Sequence, residues 1–146
     1  MVNRSMTTGD PVPRGDRRAQ LRQLAGVPTL GDAPQPLLLE MLDLGHVVRI
    51  RPRWAMLAEG TAADKAYVLL GGEVAVRRGR SELRRCRPGE LLGELGIVRH
   101  RLRSATVVSA SDVVALHLQR DAFERLHAEH PYFRALVGEA MLRKTA

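Results

Sequence analysis

Apolar positions follow three regimes along the chain. From Asp16 to Leu44 they recur at helical spacing: Leu21, Leu24 and Ala25 share one face, and Leu37 to Leu44 reads as an apolar helix. Asp16 predicts an N-cap for the first helix, Gly26 and Pro28 stop it, and Val27-Pro28-Thr29-Leu30 forms a turn. Asp32 is the candidate cap of the second helix, and Gly45 closes it. From His46 the period falls to two. Val48 and Ile50 alternate with charged residues, Pro52 breaks the run, and Met56-Leu57-Ala58 resumes it before a turn at Gly60. Tyr67-Val68-Leu69-Leu70 predicts a strong strand, and Gly71-Gly72 turns into Glu73-Val74-Ala75-Val76. Arg77 to Arg80, with Gly79, forms a hairpin tip, and Leu83 to Cys86 returns. Thr106-Val107-Val108 and Val113-Val114-Ala115-Leu116 add two more strands. Strands this short and this evenly spaced predict an antiparallel roll or barrel. After it, Asp121 with Glu124 reads as a capping box for a helix through Phe123 and Leu126 to His127. Pro131 suits the first position of a last helix, with Phe133, Leu136, Val137, Ala140 and Met141 along one face.

The fold class expected is therefore mainly β with flanking helices: a jelly-roll-like antiparallel β-roll between N-terminal helices and two C-terminal helices. The 146 residues suffice for one domain with a real core. Residues 1–14, with Gly9, Pro11 and Pro13, predict a disordered arm; 15–45 hold the first helices, 46–118 the roll and 119–146 the last helices. No stretch approaches the ~18 to 20 apolar residues of a membrane span, and the start has no apolar signal segment, so a cytoplasmic protein is expected. The single cysteine, Cys86, excludes an internal disulfide and a Cys-rich metal site.

Net charge is +7, and arginine-rich clusters at Arg49-Arg51-Arg53, Arg77-Arg78-Arg80 and Arg84-Arg85-Arg87 raise binding to nucleic acid or acidic lipid as one reading. Aromatic residues make up only 3% of the chain, so stacking platforms for single strands are missing, and solvated arginines are the default. His46, His117, His127 and His130 lack ligand spacing, and no paired-carboxylate motif occurs, so no metal site is expected. Ser104 has no neighbouring base and no triad suggests itself, so no catalytic residue is assigned.

The stretch Arg87 to Val107 carries the candidate chemistry. Gly89 and Gly93 permit close backbone approach, and Glu94-Leu95-Gly96-Ile97-Val98 spans one helical turn whose free amides favour an anion. Arg103 adds a planar fork of donors suited to phosphate. Glu94 cannot hold a phosphate, and its natural partner is a neutral hydroxyl. Anion plus hydroxyl means a small sugar phosphate or nucleotide.

These residues resemble the phosphate-binding cassette of cyclic nucleotide-binding domains, which here reads Gly93-Glu94-Leu95-Gly96-Ile97-Val98, three variable residues, Leu102, then Arg103-Ser104-Ala105-Thr106. Leu102 stands where proline is usual, and Arg99-His100-Arg101 is unusually basic. Gly60, Tyr67, Gly72, Val74 and the Pro88-Gly89 turn also fall where that family's β-roll has them, whereas Trp54 stands where it usually turns on glycine. The resemblance implies a non-enzymatic sensor that binds through Gly93, Glu94, Leu95, Gly96, Arg103, Ser104 and Ala105. Glu94 would take the ribose 2′-hydroxyl and Arg103 the cyclic phosphate. It implies cAMP more than cGMP, because cGMP-selective members often carry threonine at the Ser104 position. No cofactor beyond that ligand is implied. The partners would be the cyclic nucleotide and an effector domain or partner protein, with no residues left for a DNA-binding helix-turn-helix and a dimer left open. In many members the last helix lengthens into a lid; here Met141, Leu142 and Arg143 are the candidates for that role. The alternative is a ligand-free roll of the same fold that works as a protein-interaction module, which Leu102, the altered first hairpin and the short last helix favour.

Overall fold

The computed structural model describes residues 9–145. Its framework is two antiparallel sheets with helices at both chain ends. In the first sheet the order is β1 (Asp10–Pro11), β2 (His46–Ile50), β9 (Val113–Gln119), β4 (Lys65–Gly71) and β7 (Leu91–Leu92). The second runs β3 (Ala55–Leu57), β8 (Thr106–Ser109), β5 (Val74–Arg78) and β6 (Ser81–Cys86). Neighbours far apart in sequence, such as β2 with β9, make this a roll rather than a meander.

The strand β4 divides the core. Tyr67 and Leu69 face the space between the sheets, with Val48, Met56, Leu57, Val74 and Cys86. Ala66, Val68 and Leu70 face the other way, onto a helical layer. Its run of buried residues follows from that double burial. The helical layer contains α1 (Arg17–Ala25), a 3-10 turn (Pro28–Leu30), α2 (Gln35–Leu44), α4 (Arg120–Glu129) and α5 (Pro131–Thr145). Leu24, Leu30, Leu37, Met41, Phe123, Leu126 and Phe133 bury together there.

Several helix starts differ from the sequence reading. Asp16 does cap α1, accepting from the Ala19 amide at 3.0 Å. Asp32 does not cap α2; Pro34 occupies that position without a side-chain bond. Proline fixes the entry φ, so the chain enters the helix two residues later than the polar cap signal suggested. Gln119, not Asp121, is the N-cap of α4; Asp121 sits in the first turn, and Glu124 pairs with Arg120. Strand β9 runs on through Gln119 and feeds directly into the helix, so no separate cap is needed. At the N-terminus, Asp10 and Pro11 pair with Arg49 and Val48, and Arg14 donates to the carbonyls of Leu42 and Gly45. The expected disordered arm is thus ordered over residues 9–14, and its remainder, 1–8, lies outside the described residues. The first hairpin turns with Arg53 at φ 62, the positive-φ task that glycine usually takes.

Candidate functional site

The segment after β7 folds into a six-residue helix, α3 (Glu94–Arg99), and a loop leading to β8. Gly93 starts it at φ 89, and a Cβ there would lie 2.8 Å from Leu57 Cδ1 and 2.9 Å from Arg103 Nη1. Only glycine lets the Arg103 guanidinium pack onto this turn. Gly96 lies equally close to Ala63, where a Cβ would stand 2.7 Å from the alanine Cβ.

Arg103 is held from behind by the loop before β4. Its amide donates to Thr61 O at 2.9 Å, and its carbonyl accepts from Gly60 N at 2.8 Å. Its Nη2 donates to Lys65 O at 2.8 Å and reaches Asp64 Oδ1 at 3.4 Å. Only 6% of the residue is exposed, and Nε is buried without a partner among the described residues. Burial lowers the Arg103 pKa from its ordinary value, with Asp64 opposing, and an arginine so shifted remains a cation at neutral pH.

Glu94 is fully buried at the start of α3. Its Oε1 accepts from Lys144 Nζ at 2.6 Å, and the same ammonium donates to Leu91 O at 2.9 Å. Its Oε2 is buried without a partner among the described residues. The expected neighbour of Glu94 was a hydroxyl, and one oxygen instead holds a lysine from α5, 50 residues on. No local spacing signals that contact.

These residues line one cavity of about 300 Å³. All seven expected site residues lie on it: Gly93, Glu94, Leu95, Gly96, Arg103, Ser104 and Ala105. Leu57, Val76, Leu92 and Val107 add apolar wall, and Arg78, Leu83, Arg84, Arg143 and Lys144 complete it. Of the expected lid residues, Arg143 is present. Arg99, His100, Arg101 and Leu102 are exposed and outside the lining, Leu102 at 64%.

Behind Asp64 and Lys65 lies a second cavity, of about 500 Å³, that also touches His117, Arg120, Asp121 and Glu124. Burial, with Arg103 adding to it and Asp64 opposing, lowers the Lys65 pKa to about 8; burial with nearby Lys65 and His46 lowers that of His117 to about 4. Glu40, Glu129 and His130 also bring one ligand atom each within 4.8 Å of one another. Sequence spacing hid this group because Glu40 and His130 are 90 residues apart. Both carboxylates pair with Arg125, and Glu40 Oε1 lies 2.8 Å from His130 Nε2, so here the three join a polar network between α2 and the α4–α5 joint. Cys86 is buried, and burial raises its thiol pKa, as a small packed strand residue requires.

The β-roll thus brings a buried carboxylate and a buried guanidinium to one cavity, walled by its last helix. The chain belongs to the cyclic nucleotide-binding domain family, whose model matches residues 47–130. It is 30% identical over 97 residues to a cGMP-dependent protein kinase of Toxoplasma gondii, covering 65% of this chain and 10% of the kinase. It is 28% identical over 110 residues to a cAMP-dependent protein kinase regulatory subunit of Hypocrea atroviridis, covering 75% of this chain and 24% of that subunit. The chain thus spans a quarter or less of these relatives. The regulatory domain of Toxoplasma gondii PKA, co-crystallised with cAMP, has a TM-score of 0.72 at 19% identity, over 86% of this chain and 49% of that one. A PKAR CBD2 structure with Sp-2Cl-cAMPS gives 0.66 at 18% identity, over 86% and 94%. These structural likenesses show a shared fold.

Proposed function

We propose that this domain is a sensor for a cyclic nucleoside monophosphate. The observation that carries the reading is a pair of buried polar atoms on residues lining one cavity, without partners among the described residues: the acceptor Glu94 Oε2 and the donor Arg103 Nε. Native structures rarely leave such groups unmet, because each costs about 1–3 kcal/mol. A ligand presenting a hydroxyl beside an anionic phosphate answers both. The ribose 2′-hydroxyl donates to Glu94, and the cyclic phosphate pairs with Arg103 and with amides around Gly93 to Gly96 and Ala105. Ligand capture tightens the α3 turn, and the connection from Glu94 to Lys144 carries occupancy into α5. The output belongs to an effector domain or partner protein. The relatives include both cAMP- and cGMP-dependent kinases, so family membership leaves the base open.

Thermal denaturation with added ligand tests this. A raised Tm with cAMP or cGMP but not with 5′-AMP, increasing with ligand concentration, is expected. No shift with any cyclic nucleotide at saturating concentration transfers the domain to the ligand-free interaction class.

A further inference from the structure

Of the 23 lysines and arginines in the chain, two are lysine: Lys144, in its 2.6 Å ion pair with Glu94, and Lys65. Lys65 opens β4 and lines the cavity of about 500 Å³, yet only 2% of it is exposed. In the β4–β9 register it stands opposite Gln119, and Tyr67 stands opposite His117. Lys65, His117 and Gln119 therefore share one face of the sheet at that cavity. The first turn of α4 supplies the rest of the wall, with Arg120, Asp121 and Glu124. The acids here are already engaged. Asp64 reaches Arg103 at 3.4 Å, Glu124 takes Arg120 Nε at 3.4 Å, and Asp121 Oδ1 accepts from the Ala122 amide at 2.8 Å. The Lys65 carbonyl accepts from Arg103 Nη2 at 2.8 Å, which sets a second cation close to the lysine.

An enclosed ammonium beside another cation disfavours its own charge. Burial, opposed by Asp64 and aided by Arg103, brings the Lys65 pKa to about 8, so roughly a tenth of it is a neutral amine at neutral pH. An arginine in the same place would stay a cation and could not act as a nucleophile. With so little of Lys65 exposed, the active site of a modifying enzyme cannot close around it, whereas a small uncharged molecule can enter the cavity. We propose that Lys65 is a carbon dioxide acceptor, converted reversibly to its Nζ-carbamate inside this cavity. The amine lone pair forms an N–C bond, one C=O π pair moves onto oxygen, and the nitrogen releases one proton to solvent. The product is an anion where a cation stood. Arg120 and the N-terminal turn of α4 favour that negative charge, and the Gln119 amide and the neutral His117 ring supply N–H donors for its oxygens. The inference is independent of the cyclic nucleotide reading.

The test equilibrates the whole chain with carbon-13 bicarbonate as the source of carbon dioxide. Carbon NMR detects the carbamate, and alkylation with triethyloxonium followed by peptide mass spectrometry assigns its position. Ethyl carbamate is expected on Lys65 at a level at least about tenfold above Lys144, and at least about tenfold above Lys65 in the same chain unfolded in guanidinium chloride. Lys65→Met is expected to lose the Lys65 resonance, with its unfolding midpoint checking the fold. The trapping on wild-type protein stands whether or not that variant folds. No carbamate on Lys65 of the folded protein, equal labelling of the two lysines, or equal labelling of folded and unfolded chains would overturn the proposal.

Discussion

Glu94 and Arg103 are buried, and each keeps one polar atom without a partner among the described residues. The unmet Oε2 makes Glu94 testable separately from the phosphate. In the wild type, removing the ribose 2′-hydroxyl from the ligand is expected to cost about 1.5–3 kcal/mol, the scale of a hydrogen bond to a charged group. In Glu94→Ala the same ligand change should cost almost nothing. A double-mutant cycle by titration reads this, and an equal loss in both proteins would detach Glu94 from the ribose. Gly93→Ala belongs to the same scale. A side chain at φ 89, less than 3 Å from Leu57 and the Arg103 guanidinium, is expected to lower the unfolding midpoint and displace Arg103. Unfolding curves and ligand titration of one variant follow both effects. These residues were legible in the sequence because the cassette is local: a glycine, a carboxylate and an arginine within one short segment.

Residues that meet the cassette from elsewhere were less legible. Asp64 and Lys65, which brace Arg103, and Lys144, which holds Glu94, carry no spacing signal because the roll brings them together across tens of residues. Strands and helices themselves could be read from periodicity, down to Pro131 opening α5 and Gly79 turning the β5–β6 hairpin. Helix starts were the weaker part: Asp32 and Asp121 look like caps in isolation, but a proline entry and a continuous strand-to-helix junction decide the real starts. At this scale α5 matters most, because Lys144 joins its last turn to the buried carboxylate. Lys144→Ala leaves Glu94 without its ion-pair partner among the described residues and is expected to cost about 1–3 kcal/mol. Amide exchange in the last turns of α5 should speed up while that of β4 and β9 stays slow. Unchanged exchange in α5 would mean that Lys144 does not dock the helix.

For the whole molecule, β4 and β9 carry both cores, and His117 lies on β9 beside its neighbour Tyr67 on β4, with ring centroids 5.4 Å apart. Burial lowers the His117 pKa from 6.5 to about 4. The unfolded chain therefore takes up a proton that the folded one refuses between those two values. The contribution of neutral His117 is fully present above about pH 6.5 and is lost as pH falls toward about 4. Urea midpoints across that window should fall with pH, and His117→Gln should flatten the slope. An unchanged slope would show that other groups govern acid stability. The arginine clusters also belong here: Arg85 answers Glu73 and Glu82, Arg84 answers Glu90, and the exposed remainder gives the molecule its basic surface.

The central claim is that the unmet atoms of Glu94 and Arg103 exist to hold a cyclic nucleotide. It is met most directly by isothermal titration of the wild type and of Arg103→Ala with cAMP and cGMP, with 5′-AMP as control. Losing a charged hydrogen bond to the phosphate should weaken binding by at least about tenfold. Specific binding of a cyclic nucleotide by the wild type, reduced by that factor in the variant, is the predicted result. Equal affinity in the two proteins, or no binding by the wild type, would contradict the account.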